Sequence, residues 1–450
     1  MKIVVGRGNV VVENPSAAVR DALRYFCRNG STGEYEDLYL MSNGGEVLVT
    51  MPGFVGRILA ACHNPRVVEE RVPMPDPDMG TAFEGVPEAW HGLIAKAIKA
   101  EGGVVSVPDV LGRVQVAAAI MRAYHREDML DRGTPLNVVV AASAYEAQAL
   151  VTELRRAMPD RDVGKVCSGA YSDSEDVLVT TIGGMKDIQA CAIGVLIGFD
   201  LSADLVKCAE SLTAVRNAAR WGVSSSPFGE FKVGMLLEGL FGPLCASMSL
   251  PEAVAAGAAP KVTVCWLPAP RPACSLGSGS ERMMEAVAMQ RNDQFLGLVA
   301  DIVRQTPGDA GCLVCSDLQA LLKELKARLP EATEISMAIP AQERRNRLKS
   351  LGDGVIRKAL VSTECFPSEL EHDVMVVASC KGVEAICGIP WRRTSQGGKA
   401  YIVDFLHSWD VHNGHPGHLA RNDEVRKRRY RSLGFGQMTL GSVRELPFIG

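Results

Sequence analysis

The chain has 450 residues, enough for two or three domains, and 47% of them are hydrophobic, which supports packed cores and excludes a disordered tail protein. Its 48 Lys and Arg against 52 Asp and Glu leave a formal net charge of -4, so any attraction to nucleic acid has to come from local basic surface. Thirteen cysteines without framework spacing, several inside apolar runs such as Cys312-Leu313-Val314-Cys315, point to buried thiols of a reducing compartment.

In chain order, residues 1–82 read as a small α+β module. It has an alternating start Lys2-Ile3-Val4-Val5, a helix over Ala17 to Phe26 that puts Arg20, Arg24 and Arg28 at helical spacing, and a second run Glu46 to Thr50. The stretch Pro73-Met74-Pro75-Asp76-Pro77-Asp78-Met79-Gly80 punctuates the chain as a linker. Over 83–245 short apolar strands alternate with helices: Val104 to Val107, helix Gln115 to Tyr124, Val138 to Ala142, helix Tyr145 to Met158, Val177 to Thr181 and Ile193 to Gly198. That rhythm predicts a parallel sheet with helices on both faces. Residues 246–261 form a connection holding one short helix, Leu250 to Ala256, closed by Gly257.

A second cycle over 262–420 contains strands Cys312 to Cys315, Ala359 to Ser362, Val374 to Ala378 and Tyr401 to Asp404, with a helix Leu318 to Leu329. Residues 421–450 are a basic helix, Arg421 to Arg431, and a tail, and its charges are expected to keep a surface soluble. No apolar run reaches the roughly 18 residues of a membrane span and no leader pattern opens the chain. A cytosolic protein, or one packaged from a cytosol, without a membrane partner is expected.

Between the first strand and first helix of that α/β region stands Pro108-Asp109-Val110-Leu111-Gly112-Arg113-Val114. A phosphate-binding loop there reads Gly-x-x-x-x-Gly-Lys-Ser/Thr, with glycines that let N–H groups approach phosphates, a Lys on the β and γ oxygens, and a hydroxyl on Mg²⁺. Here Gly112 remains, Arg113 stands for the Lys, and Val114 occupies the hydroxyl position. Arginine can hold a phosphate through its guanidinium fork, whereas valine cannot hold a metal.

With these pieces in order, the chain resembles the superfamily 2 helicases of the DExH type from about residue 86 to 436, in particular compact phage and bacterial versions with a small N-terminal domain. Val138 to Gln148 is similar to the strand-to-helix turn that grips one DNA strand by its phosphates, and Val177-Leu178-Val179-Thr180-Thr181 to the next strand-binding turn. Trp221-Gly222-Val223-Ser224-Ser225-Ser226-Pro227 resembles the family's coupling motif. Phe241-Gly242-Pro243 resembles its interdomain connection, and Ala400 to Phe405 its last strand. The resemblance implies two tandem RecA-like parallel-sheet domains preceded by a small α+β N-terminal domain. It also implies nucleic-acid contacts at Ser143, Thr180 and Thr363.

The departures from the family pattern fall on its chemistry. After Ile193 to Gly198 the family carries Asp-Glu-x-His, for Mg²⁺ and for activating water, where this chain reads Gly198-Phe199-Asp200-Leu201-Ser202-Ala203-Asp204. The arginine motif appears as Ala385 to Arg392 with only Arg392 kept. The motif before it keeps Thr363 but not the Gly-x-Asp that senses the γ-phosphate, and the adenine-reading Gln is absent near Trp90 and His91. An arginine finger alone is worth about 10³ to 10⁵ in rate, so these joint losses predict hydrolysis near the uncatalysed level.

The expected protein is therefore a non-catalytic, DNA-binding or scaffold helicase relative, phage-encoded, with no cofactor and with Gly112, Arg113, Asp200 and Arg392 as vestiges. A second expectation is an active, divergent ATP-dependent DNA translocase that uses Mg²⁺ with Arg113, Asp200 or Asp204, and Arg392. A third is a structural component of a phage particle, with protein partners on the old DNA groove. His412, His415 and His418, near His407, Asp404 and Asp410, are the one candidate metal cluster. Gly414, Pro416 and Gly417 argue for a loop of locally paired histidines instead. Ser224-Ser225-Ser226 has no legible His-Asp partners for a nucleophile, and Arg344-Arg345-Asn346-Arg347 reads as a surface face.

Overall fold

The computed structural model describes the chain except at residues 30–31, 72, 108–109, 125–135, 167–174, 189–192, 202–210, 216–217, 226–230, 274–279, 353, 366–371, 382–398, 410, 413–414 and 450. It divides into two units, Met1–Ser249 and Leu250–Gly450.

The first unit opens with short strands β1 (Lys2–Val5), β2 (Val10–Glu13), β3 (Arg24–Asn29), β4 (Thr32–Asp37), β5 (Tyr39–Ser42), β6 (Val47–Thr50) and β7 (Arg66–Glu69). Five form a mixed sheet in the order β5-β6-β2-β1-β7, in which only β1 and β7 run parallel, while β3 and β4 make a separate hairpin. The helix expected over Ala17 to Phe26 is shorter. It spans Ala17–Ala22, capped by Ser16, and closes where the Leu23 N–H turns back to Arg20 and Asp21. The next residues, Arg24-Tyr25-Phe26-Cys27, are strand formers with a hairpin partner, and Arg24 Nε donates to Asp37 at 2.6 Å. Arg24 and Arg28 thus lie on β3 and share no helical face with Arg20.

Alternation puts Ile3, Val5, Val10, Val12 and Leu48 inward, and they share one apolar core with Phe54, Ile58 and with Leu236, Leu237 and Leu240 of the helix Phe231–Phe241. That helix and the turn Pro52–Phe54 approach closely. A Cβ on Gly53 would lie 1.8 Å from the Glu238 carbonyl oxygen, and one on Gly239 would lie 2.7 Å from Met51 Cε. Arg57 clamps the contact with two bonds of 2.7 Å to the Glu238 carboxylate.

Next come β8 (Gly103–Ser106), β9 (Leu136–Ala141), β10 (Val163–Val166), β11 (Val177–Thr181), β12 (Ile193–Phe199), β13 (Ala219–Ser224) and β14 (Leu244–Ser247). They form an all-parallel sheet in the order β10-β11-β9-β12-β13-β8-β14. Their near-continuous burial is what helices on both faces require, and helices Glu88–Lys99, Val110–Ala123, Ala144–Ala157 and Phe231–Phe241 flank the strands.

The second unit begins with a short helix, Leu250–Ala255, after which Gly257 takes φ +73°. Its strands are β15 (Lys261–Pro268), β16 (Cys312–Ser316), β17 (Thr333–Ile335), β18 (Lys358–Ser362), β19 (Val374–Val377), β20 (Lys399–Leu406), the small pair β21 (Val411–His412) and β22 (His415–Pro416), and β23 (Gly436–Thr439). A second all-parallel seven-stranded sheet runs β17-β18-β16-β19-β20-β15-β23. The expected architecture holds: two parallel α/β sheets after a small α+β region.

The basic C-terminal helix, His418–Ser432, carries a fully buried cation. Arg426 donates to both oxygens of Asp404 on β20 at 2.8 and 3.0 Å, to Asp423 at 2.8 Å and to the Lys381 carbonyl at 2.6 Å. Tyr430 adds a 2.9 Å bond to Asp404. Burial works against the Arg426 charge, but Asp404 and Asp423 hold its pKa above the usual arginine range. The buried carboxylate of Glu285 accepts from the first N–H groups of the helix, those of His418 and Leu419, at 2.9 Å each.

Candidate functional site

In open parallel sheets ligands bind beyond the carboxyl ends of the strands. In the first unit the adjacent strands β12, β13 and β8 end beside one another there, and an ion pair lies at their ends. Arg113, on the first turn of the helix Val110–Ala123, reaches Asp200 Oδ2 with Nη2 at 2.9 Å and the Val107 carbonyl with Nη1 at 3.3 Å. Its guanidinium lies 5.9 Å from the centre of the Phe199 ring, and its Nε is buried with no partner among the described residues. The Arg113 side chain is 4% exposed, that of Asp200 30%.

Asp200 leaves β12 at φ +48°, a left-handed conformation that Asp tolerates better than most residues. Its N–H bonds the Val223 carbonyl at 2.9 Å, and its Oδ1 accepts from the Ser225 N–H at 3.3 Å. Burial pushes the Asp200 carboxyl above its ordinary range, while Arg113, the Ser225 N–H and the Ser224 side chain pull it back. The sequence named Arg113, Asp200 and Ser224-Ser225 separately, and the structure brings them together.

The glycine of the loop has a packing partner. A Cβ on Gly112 would stand 2.5 Å from two ring carbons of Trp90 and 2.9 Å from Val107 Cγ1. Trp90, at the position searched for an adenine-reading Gln, is a core residue that lies over Gly112. Sequence carried no signal for this contact, because the two residues are distant in the chain and nothing in the Trp90 helix marks its target. Val114 is 2% exposed, and its side chain has no oxygen to offer a metal.

The residues singled out for nucleic acid are engaged in different ways. Ser143 caps the helix Ala144–Ala157, its hydroxyl accepting from the Glu146 N–H at 3.2 Å, and the residue itself is exposed. Thr180 is fully buried and donates to the Val166 carbonyl at 2.7 Å, which leaves it no face for a ligand. Thr363, half-buried, opens a short turn after β18, and its hydroxyl has no partner among the described residues.

Arg392, Asp204 and Asp410 lie outside the described residues. His412 and His415 are cross-strand partners in the β21–β22 pair, His415 is exposed, and His418 Nε2 lies 3.0 Å from Asn422 Nδ2. No group of three His, Cys, Asp or Glu able to hold a metal occurs among the described residues. His407, by contrast, is buried with Nδ1 3.1 Å from Asp423 Oδ1. Among the described residues no helix is long and apolar enough to cross a membrane.

No protein-family model matches the chain, and neither does any curated protein. Solved structures do match it. S. cerevisiae Dbp5, in a structure with Gle1, aligns over 82% of this chain and 93% of its own at 9% identity, with a TM-score of 0.57. The same yeast protein bound to RNA and ADP BeF3 aligns over 82% and 94% at 7% identity, TM-score 0.53. The DUF1998 helicase MrfA bound to DNA aligns over 84% of this chain and 56% of its own at 10% identity, TM-score 0.51. The chain has a helicase fold. Its paired parallel sheets are the tandem RecA-like domains of that fold, and the Arg113–Asp200 pair lies at the carboxyl edge of the first.

Proposed function

We propose that this chain is a nucleic-acid-binding or scaffold protein of helicase fold that does not hydrolyse ATP. The Arg113–Asp200 ion pair carries the reading. In a working phosphate loop the cation at the Arg113 position stays available for the β and γ oxygens, and the carboxylate after β12 organises Mg²⁺. Here each neutralises the other, and Val114 supplies no metal oxygen.

The Trp90 ring packed against Gly112 and the buried guanidinium engaged by Asp200 support a reading in which Mg²⁺ and ATP are not the ligands of this edge. Breaking the pair to admit nucleotide would leave an uncompensated charge against apolar surroundings, which costs about 3–5 kcal/mol for a fully buried pair and less for this half-open one. The RNA- and DNA-bound helicase structures of the same fold support nucleic acid as the partner of the retained framework.

Steady-state phosphate release by the purified protein with Mg²⁺ and ATP, alone and with single-stranded, duplex or branched DNA, tests this. The expected rate is indistinguishable from that of buffer under every condition. DNA-stimulated turnover that disappears in Arg113→Ala would establish the active translocase instead.

A further inference from the structure

The turns assigned to strand binding offer little cationic surface, and Thr180 among them is buried. Cations concentrate instead on the C-terminal helix His418–Ser432. Its buried face is Leu419, Asp423, Arg426 and Tyr430, spaced four, three and four residues apart. At 100° per residue Arg421 and Arg428 fall opposite that face, with Arg431 and Arg429 on either flank, and all four are exposed. Lys427 extends the stripe from the edge of the buried face, stacked 5.6 Å from the Trp266 ring centre. The one exposed carboxylate of the helix, Glu424, is paired with Lys427.

Five cations thus stand within about 15 Å of helix axis, on a chain whose overall charge is -4. The platform is rigid, because the buried Arg426 bonds and the Glu285 cap fix both roll and height of the helix on the sheet.

We propose that the outer face of this helix docks the sugar-phosphate backbone of duplex nucleic acid without reading its sequence. The inference rests on the nucleic-acid reading above and names the surface that carries it. Guanidinium forks match phosphate oxygens bidentately, and neighbouring cations less than two Debye lengths apart act on one polyanion together. The helix has a single Tyr, Phe or Trp, namely Tyr430, and it is buried, so no ring is offered for the base stacking that single-strand binders use. A regular backbone is the ligand this face can grip.

The test is duplex-DNA binding by the full chain, read by fluorescence anisotropy across a salt series, for the wild type and for the triple variant Arg421→Gln, Arg428→Gln, Arg431→Gln. Arg421 also donates to the Pro416 carbonyl at 2.7 Å, so thermal unfolding of the variant is measured alongside, and an unchanged transition shows that lost binding is not lost fold. The variant should bind at least about tenfold more weakly, with a salt slope shallower by about 0.9 for each arginine removed. Arg345→Gln, an exposed arginine on the helix Ala341–Gly352, should leave both values unchanged.

A triple variant that binds with wild-type affinity and slope overturns this assignment while leaving the nucleic-acid reading standing. A wild type that binds no DNA even at low salt overturns both. Polyglutamate that displaces the duplex at matched charge overturns the choice of partner in favour of an acidic protein.

Discussion

Gly112 shows how one residue type serves two purposes that sequence cannot separate. A glycine in a loop between strand and helix reads as a seat for phosphate, but here the hydrogen is required by the Trp90 ring, whose carbons would stand 2.5 Å from an added methyl. Gly112→Ala should therefore destabilise the helix Val110–Ala123 by about 1–3 kcal/mol, the usual cost of overpacking. Trp90→Phe, which removes the part of the indole that collides, should cost stability alone yet offset part of the Gly112→Ala loss, a coupling on the order of 1 kcal/mol. Native-state amide exchange of that helix measures both, and additive effects would show that the glycine serves the backbone and not the ring. Arg113 and Asp200 were legible as residues but not as a pair, because a salt bridge between the first turn of one helix and the end of a distant strand leaves no spacing signature. Arg426 was legible only as one charge in a basic run. Its burial depends on Asp404, which arrives from a strand more than twenty residues earlier.

Elements whose both faces are buried were the easiest to place. Val177–Thr181 follows Asp176 and Ile193–Phe199 precedes Asp200, neither contains a charged residue, and local pattern places both. The misplaced element was the N-terminal helix, where Arg20, Arg24 and Arg28 keep helical spacing although Arg24 and Arg28 belong to a hairpin. Tertiary pairing with Thr32–Asp37 outweighs a periodicity carried by three charges. Equally silent was the docking of the turn Pro52–Phe54 on the helix Phe231–Phe241, where backbones meet at Gly53 and Gly239. A methyl at Gly53 would meet backbone oxygen at 1.8 Å, which no rotamer change relieves. Gly53→Ala should push the helix away and loosen the module, raising amide exchange in β1, β2 and β6 by about tenfold or more, whereas Gly56→Ala, with open space around it, should not. Equal protection in the two variants would mean that the glycine contact does not hold the module.

At the scale of the whole chain, each unit carries a large apolar cluster, one from Ile3 to Phe241 and one from Cys265 to Leu446. The second cluster reaches the end of the chain: β23 pairs with β15 in parallel, and Leu446 belongs to the same cluster as Phe405 and Val403. The basic helix between them fills the Asp404 site with Arg426 and Tyr430. Truncation after Ala420 would therefore strip an edge strand from the sheet, expose apolar surface and leave the Asp404 carboxylate buried without its cation, a loss of several kcal/mol from that term alone. That is a large part of the roughly 5–15 kcal/mol by which a domain is usually stable. The truncated chain should lose the cooperative unfolding transition of residues 250–450 and retain that of residues 1–249, which amide exchange resolved by unit would show as protection confined to the first. Residues 1–249 produced alone should keep that same protection, since the cluster from Ile3 to Phe241 and all seven strands of the parallel sheet lie within them. Protection surviving throughout the truncated second unit would show that the Arg426 cluster and β23 are dispensable, and would move the proposed DNA-docking helix from a rigid part of the domain to an appendage.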